Sequence, residues 1–160
     1  MQPMREINGS YVAHNATVLR DVRWGRDCSL WFNVVLRGDD APIILGDRVN
    51  VQDLTMIHAD PGVPNVIGND VTIGHAAIIH GKKIGNGCLI GMGSILMENT
   101  EIGDECLIAA GAVVSPNSVI PPRSLVVGVP GKVKRQLTPD EIQHNYAAAA
   151  KYVAMAKTYL

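Results

Sequence analysis

The hydrophobic positions of the chain repeat every six residues over most of its length. In the most regular region the series reads Ile84, Ile90, Leu96, Ile102, Ile108, Val114, Ile120 and Val126. A period of six matches neither the 3.6-residue period of a helix nor the two-residue alternation of a half-buried strand. It predicts short strands separated by bends, each with one aliphatic side chain pointing inward.

A small residue stands two positions before each returning aliphatic residue. In the regular region these residues are Cys88, Ser94, Thr100, Cys106, Ala112, Ser118 and Ser124. Cys28 has the same relation to Leu30, so we interpret all three cysteines as small residues at core corners and not as nucleophiles. Three units of six residues complete a triangular coil, and stacked coils form a parallel β-helix.

The same register extends towards the N-terminus in groups of three. The groups are Trp24, Leu30 and Leu36, then Leu45, Val51 and Ile57, then Ile67, Ile73 and Ile79. Extra residues separate the groups at 38–42 and 59–65. Both insertions are rich in turn-forming residues and predict loops at corners of the coil, where functional residues often lie.

The pattern changes character after Gly131. Thr138 and Pro139, followed by two acidic residues, are typical of a helix start. The alanine-rich segment that follows predicts one helix up to Leu160. We expect a β-helix domain over residues 1–132 and a C-terminal helix over residues 133–160 that packs on it.

Composition excludes several kinds of partner. The 160 residues, 47% of them hydrophobic, suit one domain with a substantial core. A net charge of −1 offers no basic surface for nucleic acid. No apolar run approaches the roughly 20 residues that span a bilayer, so we expect no membrane association and a cytoplasmic location.

Two histidines occupy equivalent places in successive coils. His58 follows Ile57 and His80 follows Ile79, so both lie on the third face of the coil. Adjacent strands are about 4.8 Å apart, which allows two imidazoles to bind one zinc ion. The register therefore predicts a histidine pair suited to a metal.

A third histidine lies near in sequence but on another face. His75 follows Ile73 on the preceding face, and a corner separates it from His80. Up to about 16 Å of extended chain lies between the two. A shared ion therefore requires His75 from a second chain, which a threefold trimer supplies by placing one second face against the neighbouring third face. The fourth ligand position stays open for water.

Other polar residues flank the same predicted interface. Arg37 stacks in line with the histidine pair, and Asp53 lies one coil below His75, so we predict an ion pair between Arg37 and Asp53 across the interface. Gln52 and Asn50 lie beside it and are placed to hydrogen-bond a metal-bound hydroxide or a substrate oxygen.

These residues resemble the motifs of the gamma-class carbonic anhydrase family. The matching segments are Arg37-Gly38-Asp39, Asn50-Val51-Gln52-Asp53, His58, Gly74-His75, Ile79-His80-Gly81 and Gly128-Val129-Pro130-Gly131-Lys132. The resemblance implies an all-β fold, namely a left-handed parallel β-helix of hexapeptide repeats with a C-terminal α-helix, assembled as a homotrimer. It also implies reversible hydration of carbon dioxide to bicarbonate.

The resemblance further implies a role for each residue of the site. Three histidines of the family hold zinc, or iron or cobalt, and match His58, His75 and His80. The family's interface ion pair matches Arg37 and Asp53. Its residues around the hydroxide and substrate match Gln52, Asn50 and Asp39, where Asp39 stands beside the arginine.

The chain departs from the family in its proton-transfer loop. Well-characterised members carry glutamate in this loop, whereas the insertion at 59–65 contains none. Asp60 or a C-terminal tyrosine such as Tyr159 is available as a substitute. We expect weak activity for this reason.

Two other functions fit the same fold. A hexapeptide-repeat acyltransferase that uses coenzyme A needs a single histidine as general base, and its metal content would be near zero. A non-catalytic metal-binding assembly protein would bind zinc without hydrating carbon dioxide.

Overall fold

A computed structural model describes residues 3–160. Most strands contain only two to four residues, because the chain bends after every sixth position. In chain order the elements are β1 (Met4–Ile7), β2 (Ser10–Ala13), β3 (Thr17–Trp24), β4 (Ser29–Leu30), β5 (Val35–Leu45), β6 (Asn50–Val51), β7 (Met56–His58), β8 (Asn65–Ile67), β9 (Thr72–Ile73), β10 (Ile78–Ile79), β11 (Lys83–Ile84), β12 (Leu89–Ile90), β13 (Ile95–Leu96), β14 (Glu101–Ile102), β15 (Leu107–Ile108), β16 (Val113–Val114), β17 (Val119–Ile120), β18 (Ser124–Val127), β19 (Lys132–Gln136) and α1 (Pro139–Lys157).

The strands form two sheets around one triangular core. The first sheet has the order β1-β2-β4-β6-β9-β12-β15-β18-β19, and we call it face two. The second has the order β16-β13-β10-β7-β5-β8-β11-β14-β17, with β3 paired to β5. The long strand β5 turns a corner, since Val35–Arg37 pair with β7 and Ile43–Leu45 pair with β8. The second sheet thus supplies face three (β7, β10, β13, β16) and face one (β8, β11, β14, β17). The fold is a left-handed parallel β-helix.

The predicted register is confirmed on all three faces. On face three, the fully buried residues Leu36, Ile57, Ile79, Leu96 and Val114 stack in parallel pairing. Ile57 and Ile79 are direct neighbours although the loop at 59–65 lies between them. The insertions therefore leave the core columns unbroken.

The three cysteines lie at corners of the core with no exposed surface. Each thiol donates a hydrogen bond to a backbone carbonyl of the next coil, at 3.0 to 3.2 Å. A hydrogen bond with Cys106, together with burial, raises the pKa of the Cys88 thiol. These features confirm the interpretation of the cysteines as core residues.

An Asx ladder, formed by Asp47, Asn69, Asn86 and Asp104, follows the corner between faces one and two. Each side-chain oxygen accepts a backbone N–H from the coil below at 2.7 to 2.8 Å. A glycine of the adjacent coil lies next to each of these oxygens, and a Cβ added to that glycine would lie 2.1 to 2.7 Å from the oxygen. The repeated Gly-Asx pairs of the sequence thus cap one corner of the solenoid.

The C-terminal segment forms helix α1. Thr138 caps it, since its hydroxyl accepts from the Glu141 N–H while the Glu141 carboxylate accepts from the Thr138 N–H. The helix contacts β4, β6 and β9 on face two, and it ends at Lys157, before the expected end at Leu160. The expected domain boundary at residue 132 falls inside β19, which pairs with β18. Within residues 3–160 no helix has the length and apolar character needed to cross a membrane.

Candidate metal centre

His58 and His80 are direct neighbours on face three. His58 is the last residue of β7, and His80 follows β10, the strand paired with it. Nδ1 of His58 lies 3.0 Å from Nε2 of His80, and the ring centroids are 5.1 Å apart. His58 is buried and His80 is partly exposed, so the pair opens towards the outer surface of the face.

This spacing fits a shared tetrahedral ion. Two histidine nitrogens that each bind zinc at 2.0–2.1 Å are roughly 3.3 Å apart. The observed 3.0 Å differs from that value by a few tenths of an ångström. The two nitrogens that face each other are therefore already close to the positions of two ligands of one ion, and a small adjustment converts the pair into a metal site.

Two carboxylates hold the far side of the His58 ring. Its Nε2 lies 3.1 Å from Asp39 and 3.1 Å from Asp40. Arg37 donates one hydrogen bond to Asp39, and its other terminal nitrogen lies 3.4 Å from Nδ1 of His58. These contacts assign the proton to Nε2 and leave Nδ1 as the nitrogen with a free lone pair.

The charge of Asp39 is stabilised by the same contacts. Desolvation alone would raise the pKa of Asp39, but hydrogen bonds from Arg37 and His58 outweigh it, so the pKa lies below its usual value. Asp39 therefore remains an ionised acceptor for the His58 ring. The sequence resemblance assigned Asp39 a place beside Arg37, and the structure puts it between Arg37 and His58.

The other two histidines also face carboxylates. Nδ1 of His75 lies 2.9 Å from Asp53 on the coil below, and Nδ1 of His80 lies 3.5 Å from Asp60. In each ring the remaining nitrogen, Nε2, is then the one available to a metal. A carboxylate that orients a histidine in this way is typical of protein metal sites.

Within residues 3–160, the structure does not bring His75 to the histidine pair. One group of three metal-ligating side chains, formed by Asp39, Asp40 and His58, has ligand atoms within 4.8 Å of one another. His75 lies instead on face two, with its side chain 43% exposed. Within one chain, His75 is therefore separated from His58 and His80 by a corner of the coil, as the sequence predicts.

Asn50 and Gln52 form a buried network beside His75. The Gln52 amide donates to the side-chain oxygen of Asn50 at 3.0 Å, and the Asn50 amide donates to the Thr72 hydroxyl at 2.9 Å. Asn50 and Gln52 are 2% and 5% exposed. This network holds the Gln52 side chain against a cavity of about 390 Å³ that His75 also lines.

The cavity separates face two from helix α1. Its walls are mostly apolar, with Leu89 and Leu107 on the sheet side and Ala148 on the helix side. Tyr152 lines it from the helix as well. Tyr159 packs instead in an aromatic cluster, at ring distances of 5.2 Å from Trp31 and 6.2 Å from Phe32.

The loop at 59–65 is held against the His58 backbone. The Asn65 amide donates to the His58 carbonyl at 3.1 Å, and Asn65 is fully buried. This contact fixes the end of β7, where the His58 side chain begins. The sequence analysis did not identify Asn65, Asp40 or Tyr152. These residues lie in corner loops or on the helix, so counting along the repeat does not show what they contact.

Two predictions concern contacts between chains and stay predictions. In the single chain Arg37 pairs with Asp39, and Asp53 pairs with His75. The expected ion pair between Arg37 and Asp53 requires a second copy, as does the meeting of His75 with the histidine pair.

Comparison with known proteins identifies the family. Residues 81–116 match the family described as "Bacterial transferase hexapeptide (six repeats)". The chain is 49% identical to the "Probable carbonic anhydrase" of Methanocaldococcus jannaschii, over 92% of both chains. It is 35% identical to "Gamma carbonic anhydrase 2, mitochondrial" of Arabidopsis thaliana, over 93% of this chain and 56% of that protein.

A solved structure agrees with the fold. The crystal structure of a hexapeptide transferase family protein from Anaplasma phagocytophilum has a TM-score of 0.90 and 35% identity, over 95% of this chain and 90% of the other. This match supports the fold, and the relatives named carbonic anhydrase show the family. The chain belongs to the gamma-class carbonic anhydrase family of hexapeptide-repeat proteins.

Proposed function

We propose that the protein catalyses the reversible hydration of carbon dioxide to bicarbonate at a metal centre shared between two chains of a homotrimer. His58 and His80 of one chain and His75 of its neighbour hold the ion, which is zinc, or iron or cobalt. The observation that carries the proposal is the 3.0 Å approach of His58 Nδ1 to His80 Nε2, with a carboxylate behind each ring.

The shape of face three supports a second chain as the missing partner. An apolar column of strand residues runs along its outer surface beside the histidines, in parallel pairing: Val35, Met56, Ile78, Ile95 and Val113. All five are partly exposed or exposed in the single chain. Contact with the mostly apolar region around the His75 cavity of another copy would cover this column and bring His75 to the pair.

The chain's own residues would perform the remaining tasks. Arg37 would bridge to Asp53 of the partner subunit and fix the two faces in register. Gln52, held by Asn50, would hydrogen-bond the reacting oxygen from the side of His75. At these histidines a bound metal would supply an activated water, with a pKa of about 7 as in carbonic anhydrases in general.

A second candidate function rests on a specific comparison. The solved structure with a TM-score of 0.90 carries the name hexapeptide transferase. An acyltransferase would use one histidine of the site as a base and would bind no metal. The metal content of the purified protein separates the two functions, and bound zinc without hydration activity would favour a non-catalytic assembly role.

We expect His80→Ala to lose bound metal and carbon dioxide hydration together, because the centre loses one imidazole ligand and Asp60 loses the ring that it contacts. The loss of hydration should reach at least one hundredfold. The measurements are elemental analysis and stopped-flow hydration of the trimer. His144→Ala is the matched control, since His144 is exposed on α1, and it should behave as the wild type. Retention of one metal per chain in His80→Ala would contradict the site.

A further inference from the structure

The corner between faces three and one is closed by the same hydrogen bond in two of the regular coils. The Thr100 hydroxyl donates to the Met97 carbonyl at 2.9 Å, and one coil above it the Ser118 hydroxyl donates to the Ser115 carbonyl at 2.7 Å. In both coils a short side chain reaches the residue three positions earlier. The bond ties the residue after a face-three strand to the residue before the next face-one strand.

Asn65 occupies the same place in the coil that carries His58. The strand pairing puts Asn65 in register with Thr100, and His58 in register with Met97. The Asn65 amide donates to the His58 carbonyl at 3.1 Å, so an equivalent bond closes this corner. Here it spans seven residues instead of three, because the corner contains the insertion at 59–65.

The length of its side chain distinguishes Asn65 from the hydroxyl residues at this corner. Asn65 is fully buried, and within residues 3–160 its side-chain oxygen accepts no hydrogen bond. A buried acceptor without a donor costs stability, so the useful part of the side chain is its NH2 group. A threonine would avoid this cost, but its hydroxyl ends one bond nearer the backbone and does not reach the His58 carbonyl across the longer corner.

The closed corner contacts both histidines of the pair. Asn65 holds the His58 carbonyl at one end of the loop, and near the other end the Asp60 carboxylate lies 3.5 Å from Nδ1 of His80. Between these contacts the Val63 N–H donates to the Asp60 carbonyl at 2.9 Å, which keeps the segment in a tight turn. Groups that orient metal ligands in this way decide how tightly the ion is held.

We infer that Asn65 is a positioning residue of the metal centre, because it closes the lengthened corner and so fixes the start of the His58 side chain and the place of Asp60. It acts through His58 and the loop, and not by contact with the ion or the substrate. The inference rests on the metal centre of the proposed function, and its test therefore measures metal binding in addition to hydration.

A rescue variant separates the closing of the corner from other effects of the substitution. In Asn65→Thr the hydroxyl falls short of the His58 carbonyl. Deletion of residues 61–64 together with Asn65→Thr restores the three-residue spacing of the Thr100 corner. It also places Asp60 at the position of Asn99, whose φ of +56° an aspartate tolerates. The rescue variant should therefore close the corner again.

The test measures the affinity for zinc by competition with a chelator, and the visible spectrum of cobalt(II) in place of zinc, which depends on the geometry of its ligands. We expect Asn65→Thr to bind zinc about tenfold or more weakly and to change the cobalt spectrum, because His58 loses its anchor. The rescue variant should return to within about threefold of the wild-type affinity, with the wild-type spectrum.

Thr100→Val is the matched control. It removes the same kind of hydrogen bond at the same corner, but the carbonyl that loses its donor belongs to Met97 and not to a proposed ligand. We expect it to lower the stability of the fold and to keep the wild-type zinc affinity and cobalt spectrum. A loss of affinity equal to that of Asn65→Thr would overturn the inference, because any weakened corner would then have the same effect.

Two further results would overturn the role of Asn65. One is a folded Asn65→Thr with the zinc affinity and cobalt spectrum of the wild type. The other is a folded rescue variant that binds zinc more than about tenfold less tightly than the wild type, a result that holds even if Asn65→Thr alone does not fold. A wild type that binds no metal overturns the proposed centre as well, whereas a wild type that binds zinc without hydrating carbon dioxide contradicts the proposed activity alone.

Discussion

Individual glycines limit which substitutions this fold tolerates. Where a coil passes over the one below, the backbone leaves no room for a side chain. At Gly85 an added Cβ would lie 2.6 Å from the Asp104 backbone nitrogen and 2.4 Å from its carboxylate. Gly111 differs, because its φ of +68° favours glycine while nothing lies within 4 Å of a Cβ there. The two glycines are therefore favoured for different physical reasons.

We expect Gly85→Ala to lower the free energy of unfolding by about 3 kcal/mol, because the backbone contact between coils must open. Gly111→Ala should cost about 1 kcal/mol, the penalty for a side chain in the left-handed region. Denaturant unfolding at matched chain concentration measures both. Equal losses in the two variants would show that conformation, not contact between coils, decides the need for glycine at Gly85.

At the residue scale the sequence predicts positions better than contacts. The six-residue register places His58, His75 and His80 on the faces where the structure has them. Counting in sixes from the buried aliphatic residues is enough to assign each residue to a face. It does not identify Asp40 or Asp60 as the carboxylates behind the rings, since both lie in insertions that break the count. Their contacts depend on how each corner loop folds back on the strand.

At the scale of elements, helix α1 is positioned in part by one buried polar side chain, Asn145. The helix sequence predicts an apolar stripe of Ile142, Tyr146, Ala149, Val153 and Ala156. The structure buries Ala149 and Ala156 and leaves the other three half-buried. It also buries Asn145, whose side chain reaches carbonyls 58 and 39 residues away in sequence. The capping residues predict where the helix begins, but nothing local predicts which part of the solenoid it contacts.

We expect Asn145→Ala to destabilise the protein by about 3 kcal/mol, because the Gly87 carbonyl loses its donor, the Cys106 carbonyl keeps only the Leu89 N–H, and a small cavity remains. Gln143→Ala is the control, since Gln143 is exposed on the same helix, and it should change stability by less than about 0.5 kcal/mol. Denaturant unfolding followed by far-UV circular dichroism gives both values. A loss in Asn145→Ala no larger than in Gln143→Ala would mean that the apolar stripe alone positions the helix.

The proposed site requires more than one molecule of the chain. The apolar column on face three lies beside the histidine pair, and His75 stands on another face of the same chain. Sequence counting predicts this separation, because a corner lies between His75 and His80. It also predicts that the second face of one chain meets the third face of the next, but the single chain pairs Arg37 and Asp53 internally, so this contact stays a prediction.

We expect Ile78→Lys to prevent the proposed trimer from forming and to abolish metal binding at the proposed shared centre. Ile78 is 37% exposed in the single chain, so the chain tolerates lysine there, but an interface would bury the charge. Val119→Lys is the control, because Val119 is 71% exposed on face one. Analytical ultracentrifugation and elemental analysis report both properties. A trimeric Ile78→Lys with full metal content would place the interface elsewhere.

The unbroken stacking of the core columns limits how such a chain can evolve. Inserting one residue within a strand between Ile84 and Val126 would turn the following side chains to the opposite side and expose the interior, whereas the segment at 59–65 shows that a corner absorbs extra residues without this effect. New loops, and with them new substrates, can therefore be acquired at the corners while the rest of the solenoid is inherited almost unchanged. One of those corners borders the histidine pair, so changes in loop length that the fold tolerates occur beside the proposed site.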